Sequence, residues 1–214
     1  MNFAVLSLND NTFQPLADIT WHQNKIQYAE KNGYAYACKN HGFYDIVIGF
    51  EKIWFIRDMM EAYPDVDWFW WTGCDAMVTN FNIRLEDRVD DNYHFIIATD
   101  CNGINADSFL VRNTQQGRDY IKMIISKYEE YKGHGWAEQQ VIIDTLEQNR
   151  EIIKLVPQRE LNSYNYELYP ECQPVDKLGT NGHWQHGDLL IQWPGTSLPH
   201  RIHLANFYQS QVIR

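Results

Sequence analysis

Hydrophobic residues occur along this chain mainly in short continuous runs, separated by stretches where they recur at helical spacing. The first run, residues 3–8 (FAVLSL), stops at Asn9, Asp10 and Asn11, which is the pattern of a buried strand followed by a turn. The predicted strands span residues 3–8, 34–38, 67–71, 94–100, 108–112 and 188–192. The predicted helices span about residues 16–32, 50–63, 118–131 and 137–149, with Gly33 and Pro64 ending the first two.

One predicted strand differs from the others because it is aromatic throughout. Trp68, Phe69, Trp70 and Trp71 form a run without alternation, which is typical of a strand covered on both faces, as in a parallel sheet. After residue 156 the chain becomes irregular and contains several prolines. We therefore expect one α/β domain with a mostly parallel sheet flanked by helices and a loop-rich C-terminal third.

Composition and charge narrow the possible functions. The chain of 214 residues fits one domain, and its net charge of −10, without a long Lys or Arg run, argues against nucleic acid or an anionic membrane as a partner. The four cysteines lie far apart without a CxxC pair, so reduced thiols are expected. The N-terminus lacks a basic signal region, and no run approaches the roughly 18 apolar residues of a membrane span. We expect a soluble, cytoplasmic chain without a membrane anchor, and further domains could follow Arg214.

Small groups of polar residues follow predicted strands, where open α/β sheets bind ligands. Asp75, in a turn after Gly73, suits a cation that neutralises a diphosphate, although an Asp that bonds its own backbone is the commoner reason for such a residue. Asn102 and Asn105 offer carboxamides to sugar hydroxyls, and Asn-Gly is also a common turn. Glu138 could face a reacting sugar carbon or simply favour a helix N-terminus. The residues alone leave these alternatives open.

Several blocks, taken in order, resemble a known family. The run from Lys52 through the aromatic strand to Asp75-Ala76 resembles the galactosyltransferase, mannosyltransferase and xyloglucan xylosyltransferase family of the GT-A fold, which has a Trp-rich strand before an Asp-x-Asp-Ala motif. Further blocks match at residues 100–106, 109–113, 136–139, 161–164 and 187–191, so that the resemblance covers about residues 50–195. The start MNFAVLSLND also resembles a capsid-glycosylating glycosyltransferase domain of chlorella viruses, which would act in the host cytoplasm.

The resemblance implies a Rossmann-like GT-A fold and a nucleotide-sugar transferase that uses Mn²⁺ or Mg²⁺. The motif acid falls on Asp75, which is the expected metal ligand, and Glu138 is expected to be catalytic with it. In two places the chain departs from the family pattern: Gly73 replaces the first motif acid, and Gln192 stands where a His is expected. Either Asp75 holds the ion with water, phosphate oxygens and a substitute such as His186 or His203, which is the favoured expectation, or the enzyme depends on metal only weakly. The departures leave open whether the sugar configuration is retained or inverted.

We therefore predict transfer of a hexose or deoxyhexose from a nucleotide diphosphate sugar, with UDP as the expected nucleotide, to a glycan or glycoprotein. About residues 1–110 would bind the nucleotide and residues 111–214 the acceptor. The predicted donor contacts are Leu6, Asn9, Asp10, Lys52, Cys74, Asp75, Asp100, Asn102, Asn105, Gln139, Gln192 and Arg201. The alternatives are an inactive sugar- or nucleotide-binding module derived from such an enzyme, and a hydrolase or nucleotidyltransferase acting on nucleotide sugars. The last lacks support from a GxxxxGK loop or a histidine pair at metal-site spacing.

Overall fold

The computed structural model describes residues 1–44 and 47–214, and it contains a six-stranded sheet with a three-stranded sheet beside it. The strands are β1 (Phe3–Leu8), β2 (Ala35–Lys39), β3 (Trp68–Thr72), β4 (Ala76–Val78), β5 (Phe95–Thr99), β6 (Ile104–Arg112), β7 (Ile153–Val156), β8 (Ser163–Tyr164) and β9 (Leu190–Gln192). The helices are α1 (Gln14–Ala17), α2 (Ile26–Asn32), α3 (Ile48–Ala62), α4 (Gln115–Ser126), α5 (Tyr128–Tyr131), α6 (Ala137–Thr145), α7 (Gln158–Leu161) and α8 (Leu198–Gln209). A π-helical segment, Asp18–Lys25, joins α1 to α2.

The direction of the strands in the large sheet confirms the predicted fold class. Its order is β2-β1-β3-β6-β5-β7, and β6 runs antiparallel to both neighbours. The other five strands share one direction, since β1 pairs in parallel with β2 and β3, and β5 pairs in parallel with β7. The reversal of β6 matters for the site, because its first residues lie at the edge where the other five strands end.

The aromatic strand β3 is buried on both faces, as predicted. Phe69 and Trp71 pack in one hydrophobic cluster with residues of α3, α4 and α6, while Trp68 and Trp70 pack on the opposite face with Tyr28 of α2. Such rings bury roughly 150–250 Å² each. The strand that leads into Asp75 is therefore held firmly in the core.

The small sheet begins directly after the turn that contains the predicted site residue Asp75. Its order is β4-β9-β8, and β4 begins one residue after the turn at 73–75 that ends β3. The chain therefore leaves the large sheet and enters the small one at Asp75. Of this sheet the sequence predicted β9 alone, as a strand over 188–192, whereas the observed strand begins at Leu190.

Several predicted first residues of strands and helices are wrong, because the spacing of hydrophobic residues does not show where an element begins. The strand predicted over 108–112 begins at Ile104, so residues 105–107 belong to β6 and not to a polar link. The helix predicted from 118 begins at Gln115, since the Thr114 hydroxyl accepts the Gly117 N–H at 3.3 Å and caps it. The helix predicted over 16–32 begins at Gln14, and its middle is π-helical.

The C-terminal third is largely irregular between residues 165 and 189, as predicted, but it ends in a helix that the sequence analysis missed. This helix, α8, has Pro199 in its first turn, where proline is tolerated because the N–H has no helical partner. It buries Leu204, Ala205 and Tyr208. In the part of the chain that the structure describes, none of the helices combines the length and apolar character needed to cross a bilayer.

Candidate functional site

Two pockets open at the edge where the parallel strands end. The first, which we call the small pocket, has a volume of about 220 Å³. It is lined by Leu8, Asn9, Asp10, Phe13, Ile48, Trp71, Gly73, Cys74, Asp75, Asp107 and Arg201. The second, the large cleft, has a volume of about 740 Å³ and is bounded by the loop after β5, the start of α6 and the irregular C-terminal third. Asp75 and Asp107 line both pockets, so this pair of acids forms a shared wall.

The turn at residues 73–75 is held by hydrogen bonds from neighbouring elements. From the π-helical segment, Lys25 Nζ donates to the Gly73 carbonyl at 2.6 Å and the Thr20 hydroxyl donates to the Cys74 carbonyl at 2.8 Å. The Gly73 N–H donates to the Asp107 carbonyl of β6 at 2.9 Å, and the N–H of Trp193, the residue after β9, donates to the Asp75 carbonyl at 3.1 Å. Burial lowers the pKa of Lys25, and the nearby thiol and carboxyl groups oppose that shift. The carboxylate that follows β3 therefore starts from a fixed backbone.

In the shared wall, Gln192 connects the Asp75 and Asp107 carboxylates. Its Nε2 donates to Asp107 Oδ2 at 2.5 Å and lies 3.4 Å from Asp75 Oδ1. Arg201 Nη2 contacts Asp75 Oδ2 at 3.1 Å. Burial raises the pKa of Asp107 well above its ordinary value, and the charge of Asp75 raises it further, while nearby ammonium groups act in the opposite direction. Two adjacent acids of this kind favour a shared proton or a cation between them.

Asp100 organises the loop between β5 and β6. Its Oδ1 accepts the backbone N–H groups of Asn102 and Gly103 at 2.8 and 3.0 Å. Its Oδ2 accepts the Tyr164 hydroxyl at 2.7 Å and the Asn105 amide at 3.2 Å. These four bonds use the acceptor positions of a carboxylate. Asp100 therefore positions the two carboxamides in the large cleft instead of offering free oxygens itself.

Glu138 lies in the large cleft in a buried ion pair. Lys52 Nζ contacts Glu138 Oε1 at 2.6 Å, and the two side chains are 7% and 5% exposed. The same ammonium group donates to the Ala106 carbonyl at 2.5 Å. A Cβ atom at Gly49 would lie 1.6 Å from Glu138 Oε2, so the carboxylate occupies space that the glycine leaves free. Ala137 has a φ of 42°, and such backbone strain concentrates at functional sites.

Every predicted donor or catalytic residue except Leu6 lines one of the two pockets. The small pocket contains Asn9, Asp10, Cys74 and Arg201. The large cleft contains Lys52, Asp100, Asn102, Asn105, Glu138, Gln139 and Gln192, and Asp75 lines both pockets. The side chain of Leu6 is fully buried in the core, and Leu8 lines the small pocket, so a donor contact of Leu6 stays a prediction.

The histidines expected as substitute metal ligands are not at the site. His186 and His203 are exposed and line neither pocket, so this expectation was wrong. Within residues 1–44 and 47–214, no group of three or more His, Cys, Asp or Glu side chains is arranged to hold a metal ion. What the shared wall offers is two carboxylates and the amide of Gln192.

Sequence reasoning missed three residues of the site: Lys25, Asp107 and Tyr164. Lys25 comes from a polar helix with no marked period, and Tyr164 from an irregular segment. Asp107 carried a usable signal, because Asn105 and Asp107 alternate with apolar residues in INADSFLVR as the polar positions of one strand face would. That alternation predicts a strand beginning at Ile104.

Comparisons with known proteins support the family and the fold. The galactosyl transferase GMA12/MNN10 family profile matches residues 7–92 and 89–198. An α-1,2-galactosyltransferase of Schizosaccharomyces pombe is 26% identical over 248 residues, covering 91% of this chain and 62% of the relative. A second protein of that yeast, named as an uncharacterized α-1,2-galactosyltransferase, is 28% identical and covers 81% of this chain and 54% of its own length. The chain thus spans between 54% and 62% of the length of these relatives.

Two solved structures share the fold over almost the whole chain. A glycosyltransferase involved in the glycosylation of the major capsid of PBCV-1 has a TM-score of 0.77 and 16% identity, covering 97% of this chain and 100% of that one. The galactosyltransferase LgtC, solved with donor and acceptor sugar analogs, has a TM-score of 0.60 and 12% identity, covering 98% and 100%. At such identities the likeness shows the fold alone, and it confirms the predicted GT-A architecture.

Proposed function

The chain belongs to the galactosyl transferase GMA12/MNN10 family, and from that premise we propose that it transfers a hexose or deoxyhexose from a nucleotide diphosphate sugar to a glycan or glycoprotein. The names of the two yeast relatives support this class of reaction. The observation that carries the proposal is the pair of unequal pockets that meet at Asp75 and Asp107. The site has three parts: the small pocket, the shared wall and the large cleft. A nucleotide sugar also has three parts: a nucleoside, a diphosphate and a sugar.

The small pocket suits the nucleoside, with UDP as the proposed nucleotide. The side chains of Leu8, Phe13 and Ile48 offer apolar surface to a flat base. Asn9 and Asp10, at the end of β1, supply polar atoms for the ribose hydroxyls. This arrangement follows the general rule that open α/β sheets bind ligands beyond the carboxyl ends of their strands.

The large cleft suits the sugar and the acceptor. Asn102 and Asn105 offer carboxamides, which both donate and accept hydrogen bonds. The Gln139 Oε1 accepts the Ala106 N–H at 3.0 Å, so its amide nitrogen is directed to other partners. Glu138, held by Lys52, faces the anomeric carbon in this proposal. The volume of about 740 Å³ leaves room for an acceptor beside the donor sugar.

The charge of the two pockets favours a cation at the diphosphate. Among the described residues, the Asp, Glu, Lys and Arg side chains of the lining are six carboxylates and two cationic groups: Asp10, Asp75, Asp100, Asp107, Glu138 and Glu171 against Lys52 and Arg201. A diphosphate would be repelled by such a surface unless positive charge accompanied it. We propose Mn²⁺ or Mg²⁺ at Asp75, where oxygen ligands suit either ion. Such an ion would neutralise the departing nucleotide diphosphate.

In the proposed transfer, the bond between the anomeric carbon and the diphosphate oxygen breaks as a bond to the acceptor hydroxyl oxygen forms. The acceptor proton passes to the departing diphosphate. The Glu138 carboxylate stabilises the positive charge that develops on the anomeric carbon, and Lys52 fixes its orientation. Arg201, beside Asp75, supplies positive charge on the nucleotide side.

Two ion pairs favour a second candidate, an inactive sugar- or nucleotide-binding module. Both predicted catalytic carboxylates already face protein cations, since Lys52 contacts Glu138 and Arg201 contacts Asp75. Such a module would bind UDP-sugars without turning them over.

Nucleotide binding and sugar release separate the two candidates. Isothermal titration with UDP and Mn²⁺ should give a clear affinity for the wild type and about tenfold weaker binding for Asp75→Ala. If the wild type and Asp75→Ala bind UDP and Mn²⁺ with equal affinity, Asp75 does not take part in binding. For the enzyme, Glu138→Gln should lower transfer by about 100-fold while UDP affinity stays within a factor of two. Absence of transfer from every UDP-hexose in the wild type, with UDP still bound, would favour the module.

A further inference from the structure

Because Gly73 has no side chain, the carboxylate of Asp107 fits beside it. A Cβ atom at Gly73 would lie 2.0 Å from Asp107 Oδ2 and 2.4 Å from Oδ1, far inside van der Waals contact. Asp107 therefore occupies the volume that any side chain at residue 73 would fill. The acid that the resemblance leads one to expect at position 73 is replaced in space by an acid from β6.

The antiparallel pairing of β3 with β6 explains how a residue distant in sequence reaches this position. Thr72 pairs with Ser108, and the Gly73 N–H donates to the Asp107 carbonyl at 2.9 Å. Side chains directly opposite each other on antiparallel strands lie side by side. A carboxylate at residue 107 can therefore stand beside Asp75 much as one at residue 73 would.

Gln192 gives an independent indication that a ligand binds here. Its Nε2 contacts both Asp107 and Asp75, so one amide nitrogen places partial positive charge between two carboxylates. Its Oε1, on the same carbon atom, has no hydrogen-bond partner among residues 1–44 and 47–214, although Gln192 is 2% exposed. Buried amide oxygens are normally satisfied. A half-turn of the amide would direct this oxygen toward the two carboxylates as a third oxygen donor.

We propose that Asp75, Asp107 and Gln192 form the binding site of a divalent cation of the Mg²⁺ and Mn²⁺ class, with Asp107 as the second carboxylate ligand. Two carboxylates and an amide oxygen match the preference of these cations for oxygen, and both allow water or phosphate at the remaining positions. The inference rests on the proposed function, since the donor diphosphate would supply those oxygens. It also accounts for the glycine at residue 73, since a Cβ atom there would overlap the Asp107 carboxylate.

The test is Mn²⁺ binding without nucleotide, followed by electron paramagnetic resonance and by titration, so that it does not depend on turnover. Asp107→Asn keeps the shape of the side chain and should weaken Mn²⁺ binding by at least roughly tenfold. The exchange variant Gly73→Asp with Asp107→Gly returns a carboxylate to the same volume, and it should recover most of that loss. Glu171→Gln, which removes an exposed acid that also lines the large cleft, should bind Mn²⁺ as the wild type does.

The outcomes separate the two proposals. If Asp107→Asn keeps wild-type Mn²⁺ affinity, Asp107 is not a ligand, and the proposed transferase function stands if UDP still binds. If Glu171→Gln loses as much affinity as Asp107→Asn, the effect is one of general charge and the specific site is wrong. If the wild type binds neither Mn²⁺ nor UDP, the proposed function fails as well. Thermal unfolding of each variant shows that it is folded, and failure of the exchange variant to recover binding in a folded state contradicts the spatial replacement.

Discussion

The small pocket and the large cleft share a wall, yet they are built in different ways. The small pocket is formed by strand ends and by apolar side chains such as Phe13 and Ile48, so its shape does most of the selection. The large cleft is formed by a hydrogen-bonded polar network around Asp100 and by the buried Lys52–Glu138 pair. A pocket selected by shape tolerates small chemical changes, whereas a polar site rejects a ligand that leaves its groups unpaired. We therefore expect nucleotide affinity to depend on the small pocket and sugar discrimination on the large cleft.

The ion pairs of the two pockets differ in how far their side chains are exposed to solvent. Asp75 and Arg201 are each 15% exposed, whereas Glu138 and Lys52 are about half as exposed or less. Removing one partner of a buried pair leaves an uncompensated charge, and the cost increases as water is excluded. The pair in the large cleft should therefore matter more for folding than the pair in the small pocket.

The largest effect should come from Lys52→Met. This variant leaves Glu138 buried without its cation, so the free energy of unfolding should fall by about 3–5 kcal/mol in urea titrations. Lys52→Met with Glu138→Gln should recover most of that loss, because the unpaired charge is gone. Arg201→Met is the matched variant in the small pocket, and its loss should be smaller. If Lys52→Met and Arg201→Met lose the same free energy of unfolding, the expected difference between the two ion pairs is contradicted.

Asn102→Ala should separate sugar recognition from nucleotide binding. The Asn102 carboxamide is exposed in the large cleft, and it makes no hydrogen bond with other residues that the structure describes. We expect the affinity for the cognate UDP-sugar to fall roughly tenfold, by the loss of hydrogen bonds to hydroxyls, while the affinity for UDP stays unchanged. Isothermal titration with both ligands measures the ratio. A parallel loss of UDP affinity would show that the large cleft also holds the nucleotide.

Phe13→Ala should produce the converse result with a smaller magnitude. The Phe13 ring lines the small pocket and lies 5.8 Å from the Arg201 guanidinium, so it contributes both contact area and a cation–π interaction. We expect UDP and UDP-sugar affinities to fall together by about threefold to tenfold, since a lost aromatic contact is worth about 0.5–1.5 kcal/mol. A change in the ratio of the two affinities would contradict the division of roles.

The smallest effect is expected at the opposite edge of the large sheet, and it serves as a control. Burial lowers the pKa of His94 below its ordinary value of 6.5, and the charge of Arg112 lowers it further. Between the folded and unfolded pKa values the unfolded chain binds more protons, so this contribution to stability is complete above pH 6.5 and is lost as the pH falls. His94→Asn should therefore flatten the change in unfolding free energy between pH 7 and pH 5. UDP affinity should be unaffected, and a change in it would show that the two edges are coupled.

Local patterns were sufficient for the fold class and for part of the site. The aromatic run of β3 predicted a strand buried on both faces, and Gly33 predicted a helix end that the structure shows with a φ of 75°. Asp75 could be proposed because the residue after a buried strand lies at the ligand-binding edge in most open α/β sheets. Helix boundaries that depend on a capping side chain, such as Thr114 at the start of α4, were predicted less accurately, because the spacing of hydrophobic residues does not indicate a cap.

By itself, the sequence determined most strands of the large sheet and most of the longer helices, because those elements follow from interactions between near neighbours; β4, β8 and α8 were not predicted. Tertiary structure decided which ends of these elements meet. Asp107 reaches Asp75 because β6 runs against β3, and Lys52 reaches Glu138 because α3 and α6 pack together. A strand has the same alternation of two whether it runs parallel or antiparallel. The pattern along the chain therefore could not show that a glycine at residue 73 and an acid at residue 107 belong to one place.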